Sequence, residues 1–524
     1  MIRILALTII LRQHKEKSNL KVLLVCPQYP DTLWSFKHAI RFIFKRANFP
    51  PLGLLTVAAM LPPEWVKKLV DMNTDPLNND DIKWADYVFI SAMAVQQQSA
   101  REVVNRCKKF GTKVVAGGPL FTAGYEHLGF DDIDHLVRSE AENTLPLFLE
   151  DLEKGCARHI YESKVRPDIT TSPVPLWSLI DKKKYHSMNI QYSRGCPFDC
   201  EFCDITVMNG RNPRTKTAAQ ILDEIEILYN SGWRSGIFFV DDNFIGNKRK
   251  LKSEIMPAII EWMKEKKYPF TFSTEVSINL ADDEELMMLM TDAGFDTVFT
   301  GIETPNAESL SECNKIINRD RDLLASVKTL QNHGFHVRGG FIVGFDSDPP
   351  SIFQSQINFI QKSGIVTAMV GILNAPPASR LYKRLEKENR ILPGFSGDNT
   401  DGETNIIPKM PHETLVQGYR EILDTIYAPK LYYRRIKTFF DEYQPRSKIS
   451  TSVKPHYIVT LLKSIWTLGV KEKGQKHYWD TLVSVLFKKP KVFPIFISLS
   501  IQGFHLRKVT RTIQSTKALY ELGA

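Results

Sequence analysis

Apolar and polar positions fall into three stretches of different rhythm. From about 20 to 155, short continuous apolar runs alternate with amphipathic segments. The run 21–26, closed by Pro27 and Pro30, reads as a buried strand, and 66–72, 85–91, 112–116 and 135–138 repeat the pattern. Segment 53–61, bracketed by proline pairs, and segment 99–110, closed by Gly111, read as helices. Such alternation predicts an α/β, doubly wound Rossmann-like domain. Ligands of such sheets bind beyond the strands' carboxyl ends, here the turns after Ser91 and Ala116.

The alternation resumes from about 185 to 380. Strands are expected at 188–192, 236–240, 270–275, 297–302, 336–343 and 366–373, with helical patterns such as 218–229 and 282–293 between them. Six βα units predict a partial (βα)6 TIM-type barrel with its active site at the strands' C-terminal ends. The third stretch, 400–524, is mainly helical, as at 413–425 and 457–468. The expected domains are therefore 20–155, 185–380 and 400–524.

Composition narrows the class. A chain of 524 residues exceeds one core, and 43% apolar with 24% charged residues describes a globular protein. No run approaches the ~20 apolar residues of a membrane-spanning helix. The apolar opening at 1–11 has no small-residue cleavage site, so a cytoplasmic protein is expected. Residues 431–524 carry 17 Lys and Arg against 5 Asp and Glu, a net of +12 out of +9 overall, which leaves −3 for the rest. No interleaved aromatic motif accompanies these charges, so nucleic acid is not expected. An apolar run at 492–501 lies between Lys488, Lys489, Lys491 and Arg507, Lys508. It is too short to span a bilayer, so two readings stay open: peripheral membrane contact through this basic region, or an apolar run packed under the barrel with its charges solvated.

Four of the seven cysteines, Cys26, Cys107, Cys156 and Cys313, are scattered and read as small buried hydrophobes. The other three stand in Ser193-Arg-Gly-Cys196-Pro-Phe-Asp-Cys200-Glu-Phe-Cys203, a C-x3-C-x2-C spacing after the first barrel strand. Three thiolates with no fourth nearby suit a [4Fe–4S] cluster with one open iron. A structural zinc knuckle would want a fourth ligand at motif spacing, and no His or Cys occurs between 204 and 312.

This motif, with Phe202 before its third cysteine, resembles the radical S-adenosylmethionine superfamily. The resemblance implies that Cys196, Cys200 and Cys203 hold the cluster and that the open iron chelates S-adenosylmethionine. Reductive cleavage there yields a deoxyadenosyl radical that abstracts hydrogen. Val240-Asp-Asp-Asn-Phe244, Glu275, Gly301-Ile-Glu303 and Gly340-Phe-Ile-Val-Gly344 follow in order at later strand ends. They resemble family segments that contact the cofactor, which implies contacts from Phe202, Asp242, Asn243, Glu275, Glu303, Gly340 and Gly344. The family's closing glutamate of the adenine strand falls on Ser347 here.

The first stretch is similar to the cobalamin-binding domain of one class in that superfamily. The likeness rests on 49–55, 91–93, 117–119 and 139–142, and it implies cobalamin contacts from Ser91, Gly117, Gly118, Pro119 and Glu140. A D-x-H-x-x-G motif is absent, so no protein histidine is expected below the cobalt. With Trp34-Ser-Phe-Lys-His38 and the C-terminal region, the whole resembles the subfamily with an uncharacterised C-terminal domain that includes hopanoid C-2 methylases. The implied activity is cobalamin-dependent methyl transfer to an unactivated carbon of a small molecule or lipid. A flavodoxin or ferredoxin would supply electrons. Radical rearrangement or oxidative cyclisation is the alternative chemistry, and a non-catalytic iron–sulfur protein the alternative class.

Overall fold

Val22 to Cys26 are buried without a break because this run is a central strand covered on both faces. The computed structural model describes residues 19–122, 129–130, 132–446 and 455–521. The apolar opening at 1–11 lies outside them. The chain divides into two units: one joins the residues up to Pro30 with Pro50–Lys182, and the other joins Asp31–Phe49 with everything from Lys183 onward. The stretch 31–49, inside the 20–155 span, thus packs with the second unit.

The first unit is a parallel sheet in the order β2-β1-β3-β4-β5-β6. Its strands are β1 (Lys21–Cys26), β2 (Val66–Asp71), β3 (Tyr87–Ser91), β4 (Lys113–Gly117), β5 (His135–Val137) and β6 (Ile160–Tyr161). The two-residue β6 was not expected, being too short to leave a pattern. Helices α1 (Leu52–Met60), α2 (Gln97–Phe110) and α3 (Ala141–Lys154) cover the sheet. In α2, Ala100, Val103, Val104 and Cys107 recur at helical spacing and form its buried face, and Gly111 closes it in the left-handed region. Phe148 of α3 packs with Leu24, Phe89 and Tyr161 in the core. Full burial of one such ring is worth about 2–3 kcal/mol. Cys156 is exposed, contrary to expectation, because Gly155 ends α3 and turns the chain outward.

In the second unit six parallel strands follow one another in the order β14-β13-β12-β11-β10-β7. They are β7 (Met188–Ile190), β10 (Gly236–Phe239), β11 (Thr271–Glu275), β12 (Phe295–Glu303), β13 (His336–Val343) and β14 (Ala368–Ile372). A short antiparallel pair, β8 (Ser193–Arg194) with β9 (Arg214–Thr215), frames the cysteine loop. This is the expected partial barrel. Burial alternates along β11, with Phe272 and Thr274 covered and Ser273 and Glu275 partly open to the lumen. Residues 31–49 run along that inner side. Trp34 lies 5.2 Å from Phe299 of β12, Phe49 lies 5.0 Å from Phe238 of β10, and Arg338 of β13 stacks over Phe36 at 5.6 Å.

The C-terminal helices are α4 (His412–Tyr427), α5 (Pro429–Glu442), α6 (Pro455–Ser464), α7 (Gln475–Lys488) and α8 (Phe493–Glu521). A π-helical segment, Ile465–Lys471, extends α6. The run 492–501 packs inward rather than against a membrane: Val492, Phe496, Leu499 and Ile501 are buried at the start of α8. Lys488 and Lys491 stand exposed at the junction of α7 and α8, whereas Arg507, inside α8, is buried together with the run. Arg435 of α5 is fully buried and faces carbonyls rather than a carboxylate. Its guanidinium donates to Ile426 O (2.9 Å) and Val366 O (3.1 Å), and so ties the helices to the barrel.

Replacing Arg435 with Ala should leave those carbonyls unpaired and cost roughly 2–4 kcal/mol. Thermal melting should show the loss, and Arg435→Lys should not restore it, because one ammonium cannot copy the fork.

Candidate active site

The C-terminal ends of the barrel strands carry the residues expected to serve the cluster and its cofactor, except Gly340, which lies within β13 (His336–Val343). The cysteine loop follows β7 and β8, Asp242 and Asn243 follow β10, Glu275 ends β11, Glu303 ends β12 and Gly344 follows β13. What holds the loop in place is Asp241. Its buried carboxylate accepts the Tyr192 N–H (3.1 Å), the Ser193 hydroxyl (2.6 Å) and the Ser193 N–H. Burial, opposed by these donors, pushes its acid up to about 7. Asp242 adds a second brace, its Oδ2 accepting Gly195 N–H (2.8 Å) and Asn209 Nδ2 (3.0 Å). Gly195 stands at φ +100°, and a Cβ there would meet Gly210 O at 2.8 Å, so the turn admits only glycine.

The three thiols are all raised, chiefly by burial, and at each of them the charge of Lys315 acts in the opposite direction. Among the described residues one trio of potential metal ligands converges within 4.8 Å, and it is Asp31, His38 and His505. The three sulfurs do not all converge to that distance. The Asp31 trio is a structural clasp, since His505 accepts the His38 backbone N–H through Nδ1 and meets Leu33 O through Nε2.

Around the thiols, Asn243 pairs with Ser277 and reaches Cys196 Sγ at 3.9 Å. Glu275 is pushed up to about 7 by burial and then by Asp242 and Asp241. Glu303 is buried in the left-handed region at φ 64°, an uncommon conformation for a glutamate, and its carboxylate meets Lys315 Nζ at 2.8 Å. Phe202 packs beside Phe345 at 6.3 Å. Gly340 faces the Phe299 ring, and Gly344 N–H is held by Asp348 at 2.8 Å. Ser347, where a glutamate was expected, spends its N–H on Glu312 (2.7 Å).

Three contributors escaped the sequence reading. Asp241 was visible beside Asp242 but without a stated role. Lys315 carried no motif. Cys313 was read as an isolated hydrophobe; it is buried near Cys200, and its carbonyl accepts Glu201 N–H at 2.9 Å. The turn 313–315 therefore straps the cysteine loop, with Asn314 Nδ2 on Asp199 O at 2.7 Å.

In the first unit, Ser91, Gly117, Gly118, Pro119 and Glu140 lie at the C-terminal ends of β3, β4 and β5. Gly118, at φ +88°, leaves no room for a side chain: a Cβ would stand 2.5 Å from Ser91 Oγ. Glycine is therefore required there by the close packing of the turn after β4 on the turn after β3. Among the described histidines of this unit, His135 Nδ1 is engaged with Arg158 O (2.7 Å) and His159 Nδ1 with Asp134 O (3.0 Å). Neither stands at those strand ends.

Comparison with known proteins agrees with this geometry. The model of the radical SAM superfamily matches residues 190–359, and a domain of unknown function, DUF4070, matches 379–518. An uncharacterized methyltransferase of Synechocystis is 39% identical over 93% of this chain and 91% of its own length. The hopanoid C-2 methylase of Rhodopseudomonas palustris is 31% identical over 90% of each. Two solved structures share the fold. The cobalamin-dependent S-adenosylmethionine radical enzyme OxsB has a TM-score of 0.60 at 14% identity, covering 97% of this chain and 82% of that one. The methyltransferase TsrM of Kitasatospora setae has 0.59 at 13%, covering 95% and 100%. The chain belongs to the radical S-adenosylmethionine superfamily, in the family of these methyltransferases. It is an enzyme that uses a [4Fe–4S] cluster and S-adenosylmethionine.

Single Ala variants of Cys196, Cys200 and Cys203 should each abolish deoxyadenosine formation, whereas Cys313→Ala should keep its iron. A full iron complement in the triple variant would contradict the assignment. Asp241→Asn turns an amide toward buried donors and should reduce the iron retained after anaerobic reconstitution, without touching a thiol.

Proposed function

We propose that this enzyme is a cobalamin-dependent methyltransferase acting on an unactivated carbon of an apolar lipid. One observation carries the reading: a three-thiol loop at the barrel's strand ends occurs in a chain 31% identical to a hopanoid C-2 methylase over 90% of both. When bound, the cluster and S-adenosylmethionine supply a carbon-centred radical, and cobalamin supplies a transferable methyl group.

The chain's own residues would do the rest. Cys196, Cys200 and Cys203 would hold three irons and leave the fourth open. Asp242, Asn243, Glu275 and Glu303 would orient the polar parts of S-adenosylmethionine, with Phe202, Gly340 and Gly344 against its adenosine. Because Lys315 already neutralises Glu303, that carboxylate can accept hydrogen bonds without adding net charge beside an anionic cluster. Ser91, Gly117, Gly118, Pro119 and Glu140 would face the corrin. Phe238, Phe299 and Trp34 give the lumen apolar walls, which favour a hydrocarbon and exclude water. Electrons would come from a flavodoxin or ferredoxin, and Arg380, Lys383 and Lys387 line the surface beside the cysteine loop where an acidic donor could dock. The enzyme would work in the cytoplasm, meeting its lipid at a membrane surface. No described helix is long and apolar enough to cross one.

Turnover with trideuteriomethyl S-adenosylmethionine, hydroxocobalamin, a reductant and a hopanoid should give a product carrying the intact labelled methyl group. Deoxyadenosine formed with an unlabelled, altered product would instead indicate rearrangement or cyclisation. Electron paramagnetic resonance of the Co(II) form should lack nitrogen splitting from an axial imidazole, and its presence would overturn the lower-face assignment.

A further inference from the structure

The C-terminal helices carry an unusual surface. Ten of the 23 large apolar side chains exposed among the described residues fall in the 31 positions 457–487. In α7, Trp479, Val483, Leu486 and Phe487 recur at i, i+4, i+7 and i+8, opposite the buried Tyr478, Leu482 and Val485. Phe487 is 84% exposed. On α6 and its π-helical extension, Leu462 and Trp466 are 60% and 56% exposed. The two helices present one continuous face, because Trp479 Nε1 donates to Gly469 O at 2.9 Å and its ring covers that glycine.

Basic residues surround this face. Residues 455–491 contain seven lysines against Glu472 and Asp480, a net of +5. Lys463 lies 3.4 Å over the ring of Phe44, itself exposed, and Lys471 lies 5.1 Å from the Trp466 ring. Aromatic and aliphatic side chains raised above a polar body, with lysines alongside, match the headgroup boundary of an anionic bilayer. A second copy of this chain is a poorer occupant, since it would bring +5 against +5.

We propose that α6, its π-helical extension and α7 form the membrane-docking surface of this enzyme, seated on anionic lipid. Its biological purpose rests on the lipid-substrate reading above, but the contact itself does not. Each lysine near an anionic surface strengthens binding by up to about fivefold, and the effect is screened by salt.

The test is co-sedimentation of the full-length, cluster-loaded enzyme with vesicles of phosphatidylcholine alone and of phosphatidylcholine with phosphatidylglycerol. Iron content and deoxyadenosine release are followed in parallel. The expected result is binding to the anionic vesicles that falls at least about tenfold between low and high salt. Leu462→Ser/Trp466→Ser/Val483→Ser/Phe487→Ser and, separately, Lys473→Gln/Lys476→Gln/Lys488→Gln should each lose at least about tenfold in binding. Both should keep their iron and basal S-adenosylmethionine cleavage. Unchanged binding by folded variants, equal binding to both vesicle types, or no binding by the wild type would overturn the proposal. So would self-association of the wild type that the apolar variant abolishes, or vesicle binding that appears only when residues 1–18 are removed. Loss of cleavage in the wild type would count against the radical chemistry and leave the vesicle result to be read by itself.

Discussion

One buried carboxylate sets the geometry of the active site. Asp241 follows the second barrel strand and takes up backbone donors that emerge from the first. A neutral side chain of the same size would face those donors with weaker acceptors in a place water does not reach. Everything that follows Ser193, including the glycine turn and the three thiols, starts from the position this grip defines. Asp242 then holds the turn itself, so neighbouring acids in one motif brace two successive points of the loop.

Charge around the thiols follows from the same economy. Burial favours neutral sulfur, yet thiolates are what iron requires. Lys315 is itself buried, which lowers its affinity for a proton, but Glu303 and the neighbouring sulfurs outweigh that and keep it charged. The lysine arrives from the turn after the helix Ala307–Glu312, which follows β12 and its last residue, the strained Glu303. Strand end, strap and ion pair are thus one local device, and its cation faces the place where negative charge collects.

Most of the architecture was legible because it is written in short periods. Continuous apolar runs marked β1, β3 and β4, and the six barrel strands fell within about two residues of their expected limits. The cysteine loop was legible because its chemistry is local in sequence. What could not be read depends on distant contacts. Nothing at position 315 announces that it will meet Glu303, and nothing in 31–49 announces a run along the barrel's inner side. The C-terminal region misled for a different reason. Its most hydrophobic run, 492–501, is the one buried inside the bundle, while the more mixed segments 457–487 carry their apolar residues outside. A π-helical segment continues α6 with a different period, so the stripe there has no steady repeat for a sequence pattern to reveal.

The strap formed by residues 31–49 has a consequence for how the protein is made. It is synthesised before all of its partners, and some of them lie hundreds of residues further on: Phe42 packs on Phe504 at 5.6 Å, and the His38 N–H is received by His505. A ribosome therefore releases this strap hundreds of residues before its binding site exists. The first unit, whose sequence the strap interrupts, must tolerate it as a long unpaired loop through most of translation. Completing this packing is consequently a late event that couples two distant segments of the polypeptide.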